Sequence, residues 1–185
     1  MPSDARQKMI ESASTLLAIN GLQGTAFSDV LERSGAPRGS IYHHFPGGKD
    51  ELVRSVLDVM ASAGPAALAP LAGRPATDVV DGFVDAWKRL LLASDYAAGC
   101  SVLAVTVTAE DDATRSSAGS VFEAWTKELA RCLEEGGVPV SGARRVALAL
   151  ISGCEGAVAL CRAVRSLEPL EAVRDQTKVL LAHQA

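Results

Sequence analysis

The chain has 185 residues, 48% of them hydrophobic and 4% aromatic, with a formal net charge of −4. That length can bury a real core, as one domain or two small ones. It shows no uncharged apolar run of membrane-spanning length, since the best candidate, 146–164, is interrupted by Glu155 and Arg162. The opening MPSDARQKMIES mixes acid and base around no apolar centre, so no signal peptide is expected and the expected compartment is the cytoplasm. Cys100, Cys132, Cys154 and Cys161 have no metal-ligand spacing and no nearby histidine. They are expected to be reduced thiols, most of them buried.

Ser3 or Asp4 can cap a first helix that runs to about Asn20. Met9, Ile10, Ala13, Leu16 and Leu17 lie on one face and Gly21 is its stop. The next stretch, TAFSDVLERSGAPRGSIYHHFPGGKDEL at 25–52, predicts two short helices and the start of a third. Thr25 is expected to cap the helix at 26–34, whose Phe27, Val30 and Leu31 have buried spacing. Gly35 ends it, and Pro37 suits the first turn of a second helix at 38–45. Only Ile41 and Phe45 of that helix are apolar at buried spacing. A stiffly mounted helix with a polar outer face, following a glycine turn, has the pattern of a helix-turn-helix whose second helix enters a DNA major groove. Arg38 has the fork that reads guanine, Gly39 permits close approach, and Ser40, Tyr42, His44 and Lys49 suit phosphate oxygens.

SGAPRGSIYHHFPGGKDEL resembles the helix-turn-helix core of TetR-family transcriptional repressors. Gly35, Gly39, Tyr42, His44, Phe45 and Leu52 fall on the family pattern, which covers the first third of the chain. Three residues, Pro46, Gly47 and Gly48, stand where the family usually has two, and this FPGGK form resembles the LmrA/YxaF-like subgroup. The resemblance implies an all-α fold, with a DNA-binding domain at 3–63 and a ligand-binding and dimerisation domain at 64–185. Its DNA-contacting set would be Thr25, Ala36, Pro37, Arg38, Gly39, Ser40, Tyr42, His43, His44 and Lys49. Charge adds little to this case. Residues 1–54 carry six basic and six acidic side chains, so the whole −4 lies in the remainder.

Beyond the motif, 50–63 is predicted helical, and Gly64 and Pro65 are expected to end that helix. The Ala-, Pro- and Gly-rich stretch that follows marks the expected boundary between domains. Thr77 is expected to cap a helix at 78–93. The segment 94–110 alternates β-branched residues like a strand, but a lone strand has no partner in a helical chain, so a short buried helix is predicted. Its GCSVLAV also resembles the subgroup. Helices are further predicted at 111–135, at 142–165 with Ser141 as cap, and from Pro169 to about His183.

Phe83, Trp87, Cys100, Leu103, Phe122, Trp125 and Glu155 are candidate walls of an effector pocket. Taken singly, each aromatic is more simply a core residue, and Glu155 more simply a solvated edge. The resemblance raises them as a set. The small residues of 147–163 and the final helix could form half of a four-helix dimer interface, or could pack within one subunit. The dimer is favoured because a helix-turn-helix gains specificity from two half-sites. No nucleophile elbow, phosphate loop or metal spacing supports catalysis, and no cofactor is expected. The resulting expectation is a dimeric repressor released from an operator by a small hydrophobic effector. The alternative is a helical interaction protein without DNA binding.

Overall fold

The structure is a computed structural model and describes residues 4–182. The helical periods become nine helices among the described residues: α1 (Asp4–Asn20), α2 (Phe27–Ser34), α3 (Ser40–His44), α4 (Gly48–Leu68), α5 (Ala76–Ala93), α6 (Ser101–Thr108), α7 (Asp112–Glu135), α8 (Val140–Val164) and α9 (Glu168–Ala182). A single 3-10 turn, Ala69–Leu71, follows α4, and no strand is found among the described residues. The segment whose alternation looked like a strand is the helix α6, as predicted. The proposed starting cap Ser3 and the proposed end His183 lie outside the described residues.

The helices form two compact units. The first takes the residues up to Ala61 together with Cys100–Val121, and the second takes Ser62–Gly99 with the residues from Phe122 on. The sequence-based division at 63/64 therefore omits α6 and the first half of α7 from the N-terminal unit. Nothing local in GCSVLAV announces that assignment, because it depends on packing distant in sequence.

In the first unit α1 packs on α2 and on α6. Met9, Ile10 and Leu17 of α1, Val30 of α2, Ile41 of α3, Leu52, Val56 and Leu57 of α4, and Val102 and Val105 of α6 are all buried. Burying one such side chain contributes about 1.5–3 kcal/mol. In the second unit α8 packs on α9, and α5 packs on both. The core there joins Val79, Val80, Val84 and Leu91 of α5 to Leu129 and Leu133 of α7, Leu150 and Cys154 of α8, and Leu170 of α9. All four cysteines are free and buried, as expected. Burial first, and then the neighbouring Glu155 charge, push the Cys154 thiol up to about 12, so it stays protonated and unreactive.

Three proposed caps are not made. The Thr25 hydroxyl donates backward to the Gly21 carbonyl at 2.8 Å, and α2 begins after Ala26 without a side-chain cap. α5 and α8 begin after Pro75 and Pro139, again without one, so neither Thr77 nor Ser141 caps. Proline with its fixed φ sets those starts. Asp111 does cap α7: its Oδ1 accepts the Thr114 N–H at 2.7 Å. That bond holds the Asp111 carboxyl below its ordinary range.

α4 runs past its expected stop. Gly64 and Pro65 do not end it; the helix runs on to Leu68 with Pro65 inside. Burial explains this, since Leu68 and Leu71 enter the second unit's core and hold the last turns in place. By length and apolar composition alone, Gly48–Leu71 and Val140–Val164 could cross a membrane. The same apolar residues of α8, Val146, Leu150 and Val158, are buried in the second unit's core.

Candidate nucleic-acid interface and effector pocket

Gly35 closes α2 in the left-handed conformation, at φ 68°, where glycine has no steric penalty. The chain then turns over Pro37, whose carbonyl accepts both the Ser40 N–H at 2.9 Å and the Ser40 hydroxyl at 2.6 Å. The helix α3 that follows has only five residues, shorter than the predicted 38–45. Arg38 and Gly39 therefore sit in the turn ahead of it. Two buried side chains, Ile41 and Phe45, anchor α3. The Arg6 guanidinium lies 5.0 Å from the centre of the Phe45 ring and donates to Ser55 Oγ at 2.9 Å. One residue of α1 thus fixes both the end of α3 and the flank of α4, a bracing role that sequence spacing did not reveal.

With α3 fixed on its inner side, its outer side is polar. Pro37, Arg38, Gly39, Tyr42 and His43 are exposed, and Ala36, Ser40 and His44 are half-buried. Tyr42 is 67% exposed, and its ring stands edge-on to Phe27 at 5.8 Å, which holds the phenol out from the surface. The His43 and His44 rings meet edge-on at 5.1 Å. A Cβ at Gly39 would meet nothing within the protein, so no internal packing demands glycine there.

Two of the expected contacts are differently engaged. Thr25 is buried, with its hydroxyl on Gly21. Lys49 is half-buried and its ammonium donates to the Leu22 carbonyl at 2.6 Å. The additional loop residue accounts for the second. Gly48 takes φ 74°, and the Gly47 N–H is capped by the Glu51 carboxylate at 2.7 Å. That geometry starts α4 with Lys49 turned back onto the segment after α1.

The second unit holds a cavity of about 500 Å3, whose apolar walls include Leu68, Leu71, Phe83, Trp87 and Trp125. Phe122 touches Trp125 edge-on, with ring centres 5.6 Å apart. Of the expected pocket set, Phe83, Trp87 and Trp125 are thus brought together, with Phe122 behind them. Cys100 and Leu103 lie in the first unit, where the Cys100 sulfur accepts the Leu103 N–H at 3.3 Å and caps α6. Glu155 is buried on α8, not at a solvated edge, and is not among the cavity walls. Gly64 and Gly82, which sequence reading left out, line the cavity because they let neighbours come close. A Cβ on Gly82 would stand 2.4 Å from Leu71 Cδ2.

A polar recognition helix mounted behind a glycine turn, in an all-helical chain, defines a helix-turn-helix DNA-binding regulator. Comparison with known proteins narrows that class. Residues 9–56 match the model of bacterial regulatory proteins of the tetR family. Residues 76–176 match the C-terminal domain of LmrA/YxaF-like transcriptional regulators. An HTH-type transcriptional regulator of Mycobacterium tuberculosis is 36% identical, across 95% of this chain and 93% of its own. The HTH-type transcriptional regulator LmrA of Bacillus subtilis is 26% identical, across 90% and 91%. A TetR transcriptional regulator from Legionella pneumophila superposes with a TM-score of 0.82 at 22% identity, over 95% of this chain and 96% of that one. The chain belongs to the TetR family of transcriptional regulators, in its LmrA/YxaF-like branch. It is a DNA-binding regulator and not an enzyme.

Arg38 stands exposed at the entrance to α3, so Arg38→Ala is expected to cost about 1–3 kcal/mol of operator binding and to relax specificity at one base pair. Tyr42→Phe should weaken all sequences alike, because a lost phosphate contact carries no base information. Binding of an operator and its single-base variants in a mobility-shift series measures both. Unchanged operator affinity in the Arg38→Ala protein would remove its base-reading role.

Proposed function

We propose that the protein is a ligand-responsive repressor. It binds a palindromic operator as a homodimer and is released by a small, largely apolar effector held between Trp87 and Trp125. It works on the chromosome, in the cytoplasm. The observation that carries it is the cavity itself: two indoles and a phenylalanine line a space of about 500 Å3, the size that small-molecule sites take.

The outer face of α8 and α9 supports the dimer. Leu148, Leu160, Val164, Val179 and Leu180 are exposed, and no charged residue of α8 between Leu148 and Val164 shares the exposed side with them. A contiguous apolar face of this kind is covered in a stable protein, and a second copy of the same face covers it with two-fold symmetry. Of the small residues expected at the interface, Ala149, Ser152, Gly156, Ala159 and Ala163 are exposed on α8, and Ala147 is buried. Ala157 is buried within the subunit, and a Cβ on Gly153 would stand 3.0 Å from Val173 of α9.

Release requires that the effector bind the DNA-incompetent arrangement better than the DNA-bound one. In the bound dimer the two recognition helices must sit one duplex turn apart, about 34–36 Å, so a small change of spacing is enough. Coupling of about 1–3 kcal/mol gives a 5- to 150-fold loss of operator affinity, and by reciprocity the operator weakens the effector equally. Both tryptophans of the chain line the cavity, so their fluorescence follows an effector titration with and without operator. Equal effector affinities in the two titrations would refute the coupling. A protein that shifts no DNA from upstream of its own gene would instead be a helical interaction protein.

A further inference from the structure

The cavity between Trp87 and Trp125 is not uniformly apolar. Arg74, just after the 3-10 turn, and Arg89, on α5, both line it. Elsewhere in the second unit Arg131 pairs with Glu128 and Glu135, Arg144 with Glu123, Arg165 with Asp95, and Arg174 with Asp175. Arg74 and Arg89 close no ion pair among the described residues. Arg145 also closes no ion pair among the described residues but is not among the cavity walls. In a chain with a net charge of −4, what sets Arg74 and Arg89 apart is that both guanidinium groups line one cavity without a carboxylate partner. The acid that also lines the cavity, Asp85, already faces Lys88 at 3.9 Å. The balance of charge at the rim is positive, and the walls beneath it are indole and phenyl.

Resting on the effector reading above, we infer that this cavity takes an amphipathic aromatic acid: a flat apolar body between Trp87 and Trp125, and an oxyanion, carboxylate or sulfonate, held by Arg74 and Arg89. The chemistry of each part fits. A guanidinium donates paired hydrogen bonds to a carboxylate or sulfonate, and such charge-assisted bonds are about twice as strong as neutral ones. Indole faces accept a planar ring by offset or edge-on stacking. A neutral compound of the same shape would fill the walls and leave both guanidinium groups without a partner.

The test uses the full-length protein and two dyes with closely similar aromatic bodies, anilinonaphthalene sulfonate and the uncharged phenylnaphthylamine. Binding of each is followed by quenching of Trp87 and Trp125. The comparison protein carries Arg74→Gln and Arg89→Gln together. Both side chains are exposed, so the fold does not depend on them, and the neutral dye checks that the walls are intact. The expected result is that the double variant binds the sulfonate about tenfold more weakly, or worse, as loss of a charge-assisted contact implies, while its affinity for the neutral dye is unchanged. Unchanged affinity for the sulfonate, or equal weakening of both dyes, would overturn the anion assignment and leave the apolar pocket standing. If neither dye quenches the wild-type protein, the effector pocket itself is refuted, and the anion assignment with it.

Discussion

Gly156→Arg and Leu160→Glu are each expected to yield a folded monomer that no longer holds an operator. A Cβ at Gly156 meets nothing within the subunit, and Leu160 is 58% exposed. Neither substitution therefore disturbs the core. Each places a charge in the middle of the apolar face of α8, where a two-fold contact would bring it against its own copy. An unpaired charge buried twice in one interface costs several kcal/mol. Two linked half-sites bind about 100- to 10,000-fold more tightly than one, so operator affinity should fall by at least about 100-fold. Sedimentation at micromolar concentration and helical circular dichroism separate the outcomes. A Gly156→Arg protein that sediments like wild type would remove this face from the interface, and a wild-type monomer would refute the dimer altogether. Ala157→Arg is the instructive contrast: Ala157 is buried in its own subunit, so this change should unfold the second unit rather than split a dimer.

The neighbouring positions 156 and 157 show what the sequence could and could not convey. In α8 apolar residues lie on nearly every side, with Leu148, Leu160 and Val164 exposed and Val146, Leu150 and Val158 buried, so the sequence alone does not fix which side faces inward, and one residue is a rotation of about 100°. The recognition segment was legible because its signals are local. Gly35, Pro37 and the lone buried pair Ile41 and Phe45 set the turn and the inward face without reference to distant residues. The cap positions were misjudged for a related reason. The Thr25 hydroxyl goes to the Gly21 carbonyl, a partner whose position depends on how α1 ends. The pocket was legible in part, since Phe83, Trp87 and Trp125 are large and lie at helical spacing. Excluding Cys100 and Leu103 from that wall required knowing that α6 packs on α1, a contact between segments far apart in the chain.

Gly64→Val is expected to destabilise the second unit by about 3 kcal/mol or more, the upper range for overpacking a core. The sequence reads Gly64 and Pro65 as a helix stop, but their structural role is a close approach. A Cβ on Gly64 would stand 2.0 Å from Trp125 Nε1, 2.4 Å from Cδ1 and 2.7 Å from Cε2. The indole is a rigid plane held on another side by the edge of Phe122, so it cannot yield by a simple side-chain rotation. Either the ring leaves its place or α4 bends away. Bending is eased at this point because Pro65, inside the helix, has no N–H to donate to the turn before it. Both responses distort the cavity wall, since Gly64 and Trp125 line it together. Urea unfolding, followed by tryptophan emission, should therefore show a lowered midpoint, and the folded variant should bind the neutral dye poorly. Gly64→Ala should do the same to a smaller degree, about 1–3 kcal/mol. Gly39→Ala serves as the control: no atom of the protein lies within 4 Å of its added Cβ, so its stability should stay within about 0.5 kcal/mol of wild type. A Gly64→Val protein with wild-type stability and an unshifted emission maximum would mean that α4 and Trp125 do not pack this closely in solution, and that the cavity has a different wall.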